Sequence, residues 1–250
     1  MDSSDRWKYV AAVAAFVAII AVAIVLVVDR SDPDEKPDAI YDVSGETISL
    51  VEGSAEAWHT DAWNRWIELV PASRRALVAE FHALPSSDVG GLVEARTDSL
   101  QNWNLSISPP LSDIDLDNTL VHEYAHLITL SPTQVVPATS DSVEESCKTY
   151  FTGEGCARAG SIFARFVSGF WSQADLDLAN EDPDALYDSD PDAFVTSYAA
   201  TNPGEDLAET FRFFVYRGRS NGSNEAADKI EFMWEIPELV RIRTELRESL

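Results

Sequence analysis

Asn118-Thr-Leu-Val-His122-Glu123-Tyr-Ala-His126-Leu-Ile-Thr-Leu130 is the stretch from which the rest of the chain is read. On a helix, residues four apart lie one turn above each other on the same face. His122 and His126 can therefore aim a ring nitrogen at one point, as two metal ligands must. Glu123 follows the first His and can reach a water held by the metal and take its proton. His-Glu-Tyr-Ala-His is thus an HExxH motif, which points to a zinc hydrolase, most often a peptidase. Leu120, Val121, Ala125, Leu127, Ile128 and Leu130 predict a helix over about 117–130 with a largely apolar surface, and Asp115 or Asp117 can cap it. The competing reading is a buried helix with two hydrogen-bonded core histidines. Such groups would need partners, because unpaired buried polar atoms are costly. The chain has four His and two of them fall in this motif, which favours the metal.

A catalytic zinc takes three protein ligands and leaves one position open. No His follows His126, so the third ligand must be a carboxylate. One candidate is Glu205, in Tyr198-Ala-Ala-Thr-Asn-Pro-Gly-Glu-Asp-Leu-Ala-Glu-Thr-Phe-Arg212. Asn202 can cap a helix there and Pro203 suits its first position. Glu205 and Glu209 then share one face. Glu205 could bind the metal while Glu209 accepts a hydrogen bond from a ligand imidazole. The Tyr198 hydroxyl could donate to a developing oxyanion. The surface alternative puts Glu205 in a capping box and pairs Glu209 with Arg212 or Arg217. The other candidate is Glu145, separated from His126 by eighteen residues, the spacing seen in aminopeptidase-type gluzincins. Its surroundings, 137–148, are polar and lack a helical period, and position 149 is Thr where a supporting carboxylate would be expected.

Outside the motif, the strongest signal is Val10 to Val28, nineteen apolar residues without interruption. At helical rise this length crosses a bilayer core. Arg6 and Lys8 precede it, and Trp7 and Tyr9 suit the interface. The expectation is a cytoplasmic stretch 1–9, a single-pass membrane anchor 10–28, an acidic linker 29–40 and an extracytoplasmic domain 41–250. A cleaved signal peptide is the alternative, though its apolar core is usually shorter, about 7–15 residues. The chain carries 43 acidic and 18 basic residues, net −25. That balance argues against nucleic acid as a partner. Cys147 and Cys156 are the two cysteines. Outside the cytoplasm they predict a disulfide closing a small loop. Free or metal-binding thiols are the weaker alternative, since there is no CxxC spacing.

The periodicity predicts helix over 58–84, broken at Pro71, and short strands at 92–95 and 103–107. Further helices are expected at 161–171, 193–200, 205–217 and 225–250, the last interrupted at Pro237, with a loop at 182–192. The class is α+β, mostly helical, with a small sheet beside the motif helix. Trp103–Ile107 is expected to be the edge strand, able to hold an extended peptide by strand addition.

The pairing of His122-Glu-Tyr-Ala-His126 with Tyr198-x6-Glu205-x3-Glu209-x-Phe211 resembles the catalytic domain of anthrax lethal factor and its relatives. It also resembles bacterial zinc-binding metallopeptidases with a Tyr-Ala…Asn-Pro-x-Glu-Asp-x-Ala-Glu-x-Phe segment. The resemblance implies a gluzincin-type, zincin-like fold and one zinc ion per chain on His122, His126 and Glu205. It implies Glu123 as general base, Tyr198 as transition-state donor and Glu209 as supporting carboxylate, and it favours Glu205 over Glu145. It covers about 95–217 loosely and the two motifs closely. The 78 residues between His126 and Glu205 include the cysteine loop, which has no place in the family pattern. The expected partner is a peptide or protein substrate. The rival reading is an inactive zincin-like ectodomain that binds a peptide or partner without turnover. Retention of Glu123 argues against it.

Overall fold

A computed structural model of the chain describes residues 36–86, 90–96, 100–110, 112–138, 146–219 and 222–250. The apolar run 10–28 and the alternative ligand Glu145 lie outside these described residues. The fold class and the cell-membrane placement expected from the sequence need correction. Among the described residues no helix is long and apolar enough to cross a membrane. The longest, Asp113–Thr129, has 17 residues and carries acids in its first turn. At about 1.5 Å per residue it falls short of a hydrocarbon core of about 30 Å. The described body is an α+β arrangement that begins earlier than expected, since Ala39 and Ile40, read as linker, already pair in a strand.

Strands β1 (Ala39–Ser44), β2 (Thr47–Gly53), β3 (Val78–Ala83), β4 (Gly91–Ala95) and β5 (Trp103–Ile107) form one sheet in the order β2-β1-β3-β5-β4. The β3–β5 pairing is parallel and the others are antiparallel. β5 is therefore interior, and the edge strand is β4, not β5 as the sequence suggested. Helix α1 (Ala57–Leu69) packs on this sheet through Trp63, whose ring centroid lies 5.8 Å from that of Phe81. A short turn of helix, α2 (Ala72–Arg75), follows. Helix α3 (Asp113–Thr129) lies beside α1, with Trp66 edge-on to Tyr124 at 6.2 Å. Trp63, Trp66, Trp103, Phe81 and Tyr124 are all fully buried. Burying an aromatic side chain removes about 150–250 Å² from water, worth at most roughly 4–6 kcal/mol each. These rings fix how the motif helix sits on the sheet.

The segment 78–83 is a strand where the sequence predicted helix. Its apolar residues Val78 and Phe81 are three apart, a helical spacing. The register against β5 jumps between Val78 and Glu80, so one extra residue is accommodated there. That irregularity turns Val78 and Phe81 to the same buried side despite the odd spacing.

The remaining helices are α4 (Ile162–Phe170), α5 (Gln173–Glu181), α6 (Pro183–Ser189), α7 (Pro203–Tyr216), α8 (Glu225–Trp234) and α9 (Pro237–Ser249). Residues 182–192, read as a loop, hold α6: Asp182 caps it by accepting from the Ala185 amide, and Pro183 occupies its first position. The helix expected at 193–200 is instead extended at Phe194, with a 3-10 turn at Tyr198–Thr201. A two-stranded hairpin, β6 (Val135–Pro137) with β7 (Gly155–Ala157), follows α3. The Cys147–Cys156 disulfide is formed and ties this hairpin to the chain before it.

Helix α7 is held firmly at its C-terminal end. Arg243 and Arg247 of α9 donate to the carbonyls of Phe214, Val215, Tyr216 and Arg217. Those are among the groups a helix end leaves without intrahelical partners. Near its start, Asp206 is fully buried and pairs with the fully buried Lys229 at 2.8 Å. The Asp206 carboxylate also accepts from Trp171 Nε1 at 2.9 Å. Lys229 Nζ donates to the Ala193 carbonyl and lies 4.2 Å from the Phe194 ring centroid. Burial pushes the Asp206 carboxyl up, and Lys229 and Trp171 oppose that rise. A buried ion pair of this kind, fully hydrogen-bonded, fixes geometry more than it adds net stability.

Candidate metal centre

Helix α3 starts one turn earlier than the sequence suggested. Ser112, not Asp115 or Asp117, caps it by accepting from the Asp115 amide. Asp113 and Asp115 then occupy the first turn, where the helix dipole favours negative charge. This start leaves His122 and His126 on the face turned to α7. Helix α7 begins as the sequence implied: the Asn202 side chain accepts from the Gly204 and Glu205 amides, and Pro203 follows the cap. Glu205 and Glu209 face α3.

The two motifs meet. His122 Nε2 lies 2.9 Å from Glu205 Oε2 and 3.1 Å from His126 Nε2, and His126 Nε2 lies 3.5 Å from Glu205 Oε2. His122, His126 and Glu205 together can hold a metal ion. Tetrahedral coordination at about 2.0–2.1 Å sets neighbouring ligand atoms about 3.3–3.4 Å apart. The three observed separations bracket that value. The donor set, two imidazoles and one carboxylate, suits a divalent transition-metal ion.

The centre is rich in carboxylates. Glu123, Glu205 and Glu209 all act on His122, and Arg212 pairs with Glu209. His122 shows the consequence. Burial pulls its pKa down, but its hydrogen bonds to Glu205 and Glu209 push it up to about 10. Burial also opposes ionisation of Glu205, yet His126 and His122 hold its carboxyl well below the usual carboxylate range.

Glu209 anchors the second nitrogen of His122, with Nδ1 to Oε1 at 3.0 Å. The same carboxylate takes two bonds from Arg212, at 2.8 and 2.7 Å, and one from the Thr196 hydroxyl at 2.7 Å. Burial would raise it, but His122 and Arg212 bring it down to about 2. The surface pairing of Glu209 with Arg212 and its support of His122 are therefore one network, not alternatives. Thr196 gave no signal in the sequence, because only the bend after the extended Phe194 brings it to α7.

Glu123 points to the sheet edge rather than to α7. It is almost fully buried and accepts from the Val93 amide of β4. Burial raises its pKa, and His122 and His126 pull in the opposite direction. Gly90 and Gly91 let β4 approach this closely. A Cβ on Gly91 would lie 2.6 Å from Thr119 Cγ2 and 3.1 Å from Glu123 Oε1. Two adjacent glycines before a strand are the sequence signal for such an approach, and sequence reading passed over them. The Tyr198 ring is half-exposed, 5.9 Å from that of His122, and its hydroxyl bonds Glu205. Partial burial, then the charges of Glu205 and Glu123, keep that hydroxyl protonated well above the ordinary tyrosine range.

Compared with protein-family models, curated proteins and solved structures, the chain shows no match.

Proposed function

We propose that this protein is a zinc-dependent metallopeptidase that hydrolyses peptide bonds, with Glu123 as general base. The observation that carries this reading is the convergence of His122, His126 and Glu205 from two helices, with Glu123 directly beside them. When bound, zinc supplies Lewis acidity that acidifies water and polarises a carbonyl. Glu123 has the position and the raised pKa of a group that takes a proton from the attacking water and later returns it to the leaving amine. Tyr198 keeps its proton and stands at the open side of the cluster, so it can donate to the developing oxyanion. Glu209, itself clamped by Arg212, orients His122 and leaves Nε2 free to bind. β4 is the edge strand on the side of Glu123, and an extended substrate could add along it where it displaces the bond between the Val93 amide and Glu123.

The test is Glu123→Gln. The variant should bind zinc as the wild type does and lose hydrolysis of a peptide library. A Glu123→Gln protein that cleaves at the wild-type rate would remove the base and the mechanism with it. Zinc binding without turnover in the wild type would favour the peptide-binding alternative.

A further inference from the structure

One hydroxyl, that of Thr196, joins two parts of the centre that come from different stretches of chain. Phe194 is extended, and the chain bends at Val195 and Thr196 before the 3-10 turn Tyr198–Thr201. Thr196 Oγ1 donates to Glu209 Oε2 at 2.7 Å, thirteen residues further along the chain. The same oxygen accepts from the Ala199 amide at 3.2 Å. A hydroxyl has one proton to give and lone pairs with which to accept, so both bonds form at once. The bond from Ala199 closes a local side-chain turn around Tyr198 and so limits its backbone. Ala199 and Ala200 are fully buried, which seats the turn by packing as well. The bond to Glu209 ties that turn to α7.

Both ends of this tie lead to His122. Glu209 Oε1 accepts from His122 Nδ1 at 3.0 Å. The Tyr198 ring lies 5.9 Å from the His122 ring, on the other side of the tie. The Ala199 amide, the Thr196 hydroxyl, the Glu209 carboxylate and His122 Nδ1 thus form one continuous run of hydrogen bonds. Arg212 already balances the charge of Glu209, with bonds at 2.8 and 2.7 Å. Those bonds stay within α7 and do nothing to hold the Tyr198 turn. Thr196 supplies the link between the two.

We propose that Thr196 is a positioning residue: its hydroxyl sets Tyr198 against His122 and holds Glu209 where it orients that histidine for the metal. The effect on turnover rests on the peptidase reading, and the effect on metal binding rests on the metal site alone.

Thr196→Val keeps the side-chain shape and loses both bonds, whereas Thr196→Ser keeps both. Thr244→Val removes an exposed hydroxyl bonded within α9 and is the control. Zinc affinity is read by competition titration, the turn by amide hydrogen exchange over 198–201, and turnover as kcat and KM on a quenched peptide. Urea midpoints show that each variant is folded, and Thr196→Ala replaces Thr196→Val if that one is not. We expect Thr196→Val to bind zinc about 10-fold more weakly, as loss of support behind a ligand does. Exchange over 198–201 should quicken. The kcat should fall about 10-fold with KM little changed, because the group that moves serves the transition state. Thr196→Ser should restore all three, and the control should change none. In a Tyr198→Phe background the kcat loss from Thr196→Val should nearly vanish while the zinc loss persists, because only the first acts through Tyr198. Unchanged zinc affinity or exchange in Thr196→Val, losses that Thr196→Ser does not restore, or a kcat loss that adds in full to that of Tyr198→Phe overturns the proposal. If the wild type binds zinc and cleaves no peptide, the peptidase reading fails, and zinc affinity and exchange still decide the role of Thr196. A wild type that binds no zinc removes the centre and this proposal with it.

Discussion

Gly91→Ala adds one methyl group between the edge strand and the motif helix. The new Cβ would sit 2.6 Å from Thr119 Cγ2 and 3.1 Å from both Glu123 Oε1 and Ile107 Cδ1. Carbon atoms in ordinary contact are about 3.5–4.0 Å apart, so strand and helix must separate by about 1 Å. Gly91 is not among the glycines with positive φ, so the cost is steric rather than conformational. Overpacking costs about 1–3 kcal/mol, and the stiffer unfolded chain returns about 0.4–1 kcal/mol. The net loss of about 1–2 kcal/mol corresponds to a drop of several degrees in Tm for a domain of this size, at about 2–4 °C per kcal/mol. Activity should fall further than stability, because Glu123 moves with the contact and a misplacement of about 1 Å can cost about 100-fold in rate. The metal ligands lie where α3 meets α7, away from β4, and should keep their ion. Peptide hydrolysis, metal content and thermal unfolding, measured on one preparation, separate the three effects. Adding Thr119→Ser removes the worst clash and should restore part of the rate. Wild-type kcat in Gly91→Ala, or equal loss of metal and activity, would refute the placement of Glu123 by β4.

Arg212→Ala frees Glu209 on one side and should weaken zinc binding about 10- to 100-fold in a competition titration, with little change in the fold. The metal-free protein should lose stability as pH rises. The folded-state pKa of His122 is raised from 6.5 to about 10, so its contribution is full below pH 6.5 and is lost as pH climbs through about 10. Denaturant titrations at pH 6 and 9.5 check this, and zinc-loaded protein should not show that loss. Toward acid the sign reverses for Glu209. Its pKa is depressed to about 2, so its stabilisation is present above about 4.5 and fades as pH falls from there. Replacing both cysteines by Ser opens a link spanning nine residues and should cost about 2–3 kcal/mol by the loop-entropy rule, read as a lower midpoint in urea.

The site was legible in the sequence where local rules and chemistry coincide. The spacing of His122 and His126, and the Asn202-Pro203 start of α7, each follow from one turn of helix. The meeting of Glu205 with the two histidines required only that the helices pack face to face. The sheet was harder to read. β2 carries little signal because it is largely exposed on both faces. The irregularity in β3 disguised a strand as a helix, and the place of β4 at the edge depends on pairing order, which single strands do not encode. The hairpin β6–β7 was hidden because its strands are three residues each and are stabilised by a disulfide rather than by pattern. The apolar run 10–28 illustrates a different limit: its hydropathy is plain in the sequence, and the described body begins beyond it.

The most direct measurement is the metal content of the purified, dialysed protein beside that of Glu205→Ala. We expect about one zinc per chain in the wild type and a sharp loss in Glu205→Ala, because the third ligand completes the site. Absence of stoichiometric metal in the wild type, or undiminished zinc in Glu205→Ala with loss in Glu145→Ala, would contradict the centre built on His122, His126 and Glu205.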